Sequence, residues 1–152
     1  MLAILMLSVM FIGLQTITEC SEIIGVLISG GMNRGEYLQS VEIYNPTNNT
    51  KCSLSQLPEP RLFHTQEVEL VCGGYRYSNT GTELTCVKWS SESGSWTQSH
   101  TLRQSRFWHV SWATEDGVYL MGGNDSSSWK TTELVKVNGS VEEGFRLKYH
   151  TR

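Results

Sequence analysis

The residues of this chain that are equipped for chemistry are four cysteines, four histidines and a thin scatter of carboxylates. Cys20, Cys52, Cys72 and Cys86 have no CxxC spacing and no His at a finger-like interval, so a zinc site is not expected. His64 and His109 each end a similar run, Arg61-Leu62-Phe63-His64 and Arg106-Phe107-Trp108-His109. Equivalent positions usually do equivalent structural jobs, here read as a hydrogen bond at the start of a strand. His100 and His150 lack a partner at metal-ligand or triad spacing. Glu142 and Glu143 fall in an expected turn, a solvated face. With no nucleophile elbow, phosphate loop or metal motif, the sequence offers no catalytic residues, no metal site and no cofactor. An enzyme is not expected.

The compartment is read from the N-terminus. Residues Leu2 to Leu14 are apolar except for Ser8 and Gly13, and polar residues follow at once. That run is too short to span a bilayer, which needs about 20 residues. It fits the apolar region of a secretory leader, residues 1–18, with Thr16 and Thr18 placed for cleavage before Glu19. The leader lacks Lys and Arg, and a buried core segment is the other reading of the same run. In an oxidising compartment four cysteines point to disulfides, with three connectivities open. Sequons at Asn48, Asn124 and Asn138 agree with secretion, whereas Pro46 disqualifies Asn45. The expected location is extracellular, with no membrane span once the leader is removed.

Composition narrows the partners. The chain is 39% hydrophobic and 18% charged with a formal net charge of −3, and its basic residues are scattered. Nucleic acid and anionic lipid are therefore not expected as targets. Fourteen Gly beside five Trp and six Tyr indicate many short strands and tight turns. No segment has helical periodicity.

The elements that must position these residues come from an internal repeat. An apolar run ending in a Gly pair occurs three times, at Gly30-Gly31, Gly73-Gly74 and Gly122-Gly123. The spacings, 43 and 49 residues, suit propeller blades. A β-rich run follows each pair: residues 40–44, 85–89 and 133–137. Seven or eight residues further on stand Cys52, Trp96 and Phe145, and Arg152 marks where the third unit meets the Arg61 and Arg106 position.

These features resemble the kelch repeat, with departures at Cys52 and Phe145, where Trp is expected, and at Val137, where Tyr is expected. The resemblance covers residues 23–152, and more narrowly it is to secreted, uncharacterised invertebrate kelch-like proteins. It implies an all-β fold of four-stranded antiparallel propeller blades, in units about 23–62, 63–107 and 108–152 of a repeat segment 19–152. Gly pairs permit close backbone approach and positive φ. In the middle unit, strands are expected at residues 64–68, 69–72, 84–89 and 95–97. The first unit lacks an evident inner strand.

On this reading Cys72 and Cys86 sit symmetrically about a turn at residues 78–81, opposite one another and able to bridge. A pair of reduced, buried thiols is the alternative. Cys20 and Cys52 remain as a second pair, or Cys52 has a partner outside the chain. A closed propeller needs 4 to 8 blades and this chain supplies about three. It is read as a fragment of a longer protein, with self-association of chains to close the ring as the alternative.

The expected function is an extracellular module binding a protein or glycan through propeller loops at residues 32–37, 75–82 and 124–130, with no catalysis of its own. Tyr75, Tyr77 and Trp129 are the candidate contact residues, unless they pack between blades. The alternative is a fragment of a secreted propeller enzyme, carbohydrate-directed or oxidative, whose catalytic residues lie in missing blades. A ubiquitin-ligase adaptor, the third reading, is disfavoured by the leader and the sequons.

Overall fold

The computed structural model describes residues 8–10, 25–67, 69–75, 82–124 and 129–148. Within them the chain makes three consecutive four-stranded antiparallel sheets and one small hairpin, with no helix. Blade 1 holds β1 (Ser8–Met10), β2 (Gly25–Ser29), β5 (Val41–Asn45) and β6 (Thr50–Leu54), and β3 (Met32–Asn33) with β4 (Glu36–Tyr37) forms the hairpin inserted in it. Blade 2 is β7 (Thr65–Glu67), β8 (Leu70–Cys72), β9 (Thr85–Ser90) and β10 (Ser95–Thr101). Blade 3 is β11 (Val110–Thr114), β12 (Gly117–Met121), β13 (Thr132–Lys136) and β14 (Val141–Glu143). Each sheet has the four-stranded antiparallel order of a β-propeller blade.

Each strand alternates its side chains between two neighbours, as a period of two requires. From β5, Val41 and Ile43 turn towards blade 2 and meet Val71, Val87, Trp89 and Trp96 in one buried cluster. From β9, Cys86 turns the other way and joins Cys72, Leu102, Leu120 and Val135 between blades 2 and 3. The core therefore lies between sheets, and each blade depends on its neighbour for burial. Trp89 and Trp96, paired across β9 and β10 with ring centroids 5.4 Å apart, are the bulkiest wedge, and the Trp96 indole N–H donates to the Ser55 carbonyl of blade 1 at 3.1 Å.

Three expectations need correction. Trp96 pairs with Trp89, but the matching partners of Tyr44 and Val135 are Lys51 and Val141, not Cys52 and Phe145. A slip of one residue turns a side chain to the other face. Cys52, opposite Ile43, thus points towards blade 2 while Trp96 points towards blade 1. Val137 lies in the turn beyond β13, so Val135 is the residue at the position of Tyr44 and Trp89. Blade 1 also has an inner strand: β1, within the stretch read as a leader, pairs with β2 from Ser8↔Leu27 to Met10↔Gly25. In the middle unit the strands fall where the repeat placed them, with β10 extended to Thr101.

Candidate functional site

The Gly-pair ends of the blades are built around Arg61 and Arg106, both buried. The Arg61 carbonyl accepts the Gly31 amide of blade 1 at 2.8 Å, while its guanidinium donates into blade 2, to the carbonyls of Gly73 (3.0 Å) and Thr85 (2.7 Å) and the Thr85 hydroxyl (2.8 Å). Arg106 repeats this one blade on. Its carbonyl takes the Gly74 amide at 2.9 Å, and its guanidinium reaches the Gly122 carbonyl (2.8 Å), the Thr131 carbonyl and hydroxyl, and Glu133 Oε1 (2.6 Å). Sequence reasoning used these arginines only as landmarks. They are clamps between blades.

The Gly pairs make the clamp possible. A Cβ on Gly30 would lie 2.5 Å from the Arg61 carbonyl, and one on Gly73 2.5 Å from the Arg106 carbonyl. At φ +59° and +61° both also occupy a region that favours glycine.

His64 and His109 bond between blades, not at the start of their own strand. His64 Nε2 lies 3.0 Å from the Ser29 hydroxyl of blade 1, and His109 Nε2 lies 2.8 Å from the Thr65 hydroxyl of blade 2. Burial, then the Arg61 guanidinium, lowers His64 from 6.5 to about 4. Burial, then Arg106 and His64, lowers His109 to about 3. Both rings are neutral at pH 7, which suits a structural bond and not proton transfer near neutrality.

Beside this layer runs an unbroken line of aromatic rings. Tyr37 meets Tyr75 edge-on (6.1 Å between centroids), Tyr75 meets Phe107 (5.6 Å), Phe107 meets Trp108 (5.2 Å) and Trp108 meets Phe63 (4.8 Å). It crosses all three blades, since Tyr37 ends β4 in blade 1, Tyr75 follows β8, and Trp108 precedes β11. Phe63 and Trp108 are 40% and 50% exposed, more than buried packing would allow. Both adopt positive φ, 59° and 55°, rare for bulky residues, and the Trp108 amide donates to the Phe63 carbonyl at 3.0 Å. The Arg-x-aromatic-His run was the sequence signal for them.

Of the expected contact residues, Tyr75 is half-buried within this line and Trp129 is exposed at 37% in the blade 3 loop. Tyr77 lies outside the described residues. The hairpin at residues 32–37 brings Tyr37 to Tyr75, so two of the three expected loops meet. Among the described residues no cluster of three His, Cys, Asp or Glu could hold a metal, and no helix is long and apolar enough to cross a membrane.

Cys72 and Cys86 are partners in the β8–β9 ladder and form a disulfide, with Cα atoms 4.1 Å apart. Cys52 is also disulfide-bonded, and its expected partner Cys20 lies outside the described residues. Asn48 and Asn138 occupy the same hairpin turn in blades 1 and 3. In each, the sequon hydroxyl donates to the Asn side-chain oxygen, Thr50 at 2.7 Å and Ser140 at 2.9 Å. Asn124 is half-buried after the third Gly pair, where its amide donates to the Phe107 carbonyl.

Comparison with known proteins agrees with this architecture. No protein-family model matches the chain. Kelch-like protein 36 of Rattus norvegicus and of Mus musculus are each 25% identical over 100 residues, covering 63% of this chain and 16% of theirs. That of Bos taurus is 24% identical over 102 residues. The chain thus spans about a sixth of the length of these relatives. Among solved structures, YjhT superimposes with a TM-score of 0.69 at 12% identity, over 82% of this chain and 49% of that one.

Proposed function

We propose that this run of kelch-type propeller blades is an extracellular binding module, without catalysis of its own, that takes a protein ligand on the aromatic line from Tyr37 to Phe63. The observation that carries the reading is the pair Phe63 and Trp108, held in a costly left-handed backbone and yet exposed to solvent. A non-glycine residue in that region costs on the order of 1 kcal/mol or more. Exposed aromatics on a rigid scaffold are the usual anchors of protein interfaces. The weak similarity to kelch-like proteins supports a protein-interaction role. The disulfide and the two solvent-facing sequons support the extracellular setting.

The test is a photo-crosslinking residue at position 63, with the protein produced by secreting cells. A crosslinked extracellular protein that disappears when Trp108→Ala is added supports the reading. Absence of any crosslinked protein, or saturable binding to a glycan array abolished by Trp108→Ala, overturns it in favour of a glycan.

A further inference from the structure

Two hairpin turns of this chain hold an asparagine side chain in the same grip, and glycine follows only one of the two. In the β13–β14 turn the Asn138 side-chain oxygen accepts the Ser140 amide at 3.1 Å and the Ser140 hydroxyl at 2.9 Å. In the β5–β6 turn the Asn48 oxygen accepts the Thr50 amide at 3.1 Å and the Thr50 hydroxyl at 2.7 Å. Both asparagines are exposed, with Gly139 after the first and Asn49 after the second.

The grip acts on the carboxamide carbon. Two donors on a carbonyl oxygen draw charge from its carbon and stabilise the oxyanion that forms when a nucleophile adds there. The ring closed by the bond from the Ser140 amide contains the Gly139 nitrogen, so a backbone nucleophile stands beside that carbon. Gly139 is exposed at φ +93°, and a Cβ built on it would meet nothing within 4 Å. Lacking a side chain, it can turn its nitrogen onto the carbon without steric penalty. Its amide now donates to the Lys136 carbonyl at 3.1 Å, a single bond in a solvent-facing turn that must first be released. Asn49, at φ 56°, carries a side chain that restricts the same rotation.

We propose that Asn138 and Gly139 form a self-modifying site, at which the Gly139 nitrogen displaces ammonia from the Asn138 side chain in chains without a glycan there. The Gly139 nitrogen loses its proton to hydroxide and attacks Asn138 Cγ. The Cγ–Nδ2 bond then breaks, and the nitrogen leaves as ammonia after taking a proton from water. The cyclic imide that remains takes up one water at either of its carbonyls. One opening gives Asp, and the other gives isoaspartate, with the chain running through the former side-chain carbonyl. One water is consumed, one ammonia is released, and no electrons are exchanged.

Either product adds a carboxylate to a turn that already pairs Lys136 with Glu142 at 2.6 Å. Either also destroys the sequon, so a glycan on Nδ2 and cyclisation are exclusive fates of one side chain. Isoaspartate lengthens the backbone inside a turn closed by the Lys136 amide on the Ser140 carbonyl at 2.9 Å, which loosens β14 at the outer edge of blade 3.

Peptide mapping of the full chain, secreted from cells in which N-glycosylation is blocked and aged at neutral and mildly alkaline pH, tests this. Trypsin releases Asn138 in residues 137–146 and Asn48 in residues 35–51. Asp and isoaspartate should accumulate at Asn138 at least about tenfold faster than at Asn48, and faster at the higher pH. Asn49→Gly should confer the conversion on Asn48, and Gly139→Ala should slow it at Asn138 by about tenfold. Ser140→Ala, which keeps the amide donor and removes the hydroxyl, should slow it severalfold. A retained cooperative melt shows that each variant folds. Asn138 unchanged in the aged chain, equal conversion at Asn48, or slower conversion in the folded chain than in the isolated peptide 137–146 would overturn the proposal.

Discussion

The Arg106 guanidinium lies 2.6 Å from the Glu133 carboxylate, with both side chains buried at the boundary of blades 2 and 3. Glu133 also accepts the backbone amides of Arg103 and Gln104, so it holds the connecting segment as well as the arginine. Arg106→Ala leaves this carboxylate buried without its countercharge. The expected loss is about 3–5 kcal/mol, a large share of the stability of a typical domain. Urea denaturation followed by tryptophan fluorescence measures it, and a loss below about 1 kcal/mol would mean that water reaches Glu133.

The two buried histidines predict a stability that falls on mild acidification. Their folded pKa values, about 4 for His64 and about 3 for His109, lie below the unfolded value of 6.5. Below pH 6.5 the unfolded chain therefore binds more protons than the folded one. The stability from neutral imidazole is complete above pH 6.5 and is lost as the pH falls towards the folded values. The slope is at most about 1.4 kcal/mol per pH unit for each ring. Melting temperature from pH 7.5 to about 5, a window chosen above most carboxylate titration, checks this. His109→Gln should flatten the curve, and an unchanged slope would remove His109 as the cause.

Glycines of one pair are not equivalent. Gly73→Ala would force a methyl to 2.5 Å from the Arg106 carbonyl, whereas a Cβ on Gly31 meets nothing within 4 Å. Gly31→Ala should cost only the strain of positive φ, about 1–2 kcal/mol. Gly73→Ala should cost at least about 3 kcal/mol, because backbone must also move. Equal losses would show that the close approach at Gly73 relaxes freely. Paired melts of the two variants read the difference.

The disulfide is testable in the same way. Cys72 and Cys86 close a loop of sequence separation 14. Their joint replacement by Ser should lower stability by about 3 kcal/mol on the chain-entropy estimate. A far smaller loss would show that the β8–β9 ladder is already ordered in the unfolded ensemble.

The blades were legible because three signals repeat together: the Gly pair, the apolar strand before it and the Arg-x-aromatic-His run. Symmetry about residue 79 likewise placed Cys72 opposite Cys86, as the ladder has them. The outer strand was less legible. Cys52 and Trp96 stand at similar distances from the preceding run, yet a shift of one residue turns them to opposite faces, and only register resolves that. The role of the arginines was hidden for another reason. Arg61 and Arg106 act on carbonyls 12 and 16 residues downstream, in the next blade, and backbone acceptors leave no mark in residue identity. The aromatic line escaped in part because Phe63 and Trp108 are anchored by backbone geometry that L-residues rarely adopt.

The N-terminus poses the last prediction. The same apolar run reads as a secretory leader and pairs as β1 with β2 over three residues. Secretion should release the leader, giving a mature chain that begins at Glu19 and carries glycans on Asn48 and Asn138, whose side-chain oxygens face the sequon hydroxyls at exposed turns. Blade 1 would then keep β2, β5 and β6, and the edge of β2 formerly covered by β1 would be open. Intact mass with and without glycosidase gives the start and the glycans. Hydrogen exchange then reports on β2. Fast exchange of its outward amides is expected in the processed chain, and slow exchange in a chain retaining residues 8–10. A secreted protein that keeps Met1 and carries no glycan would overturn the leader reading and leave β1 as the permanent inner strand of blade 1.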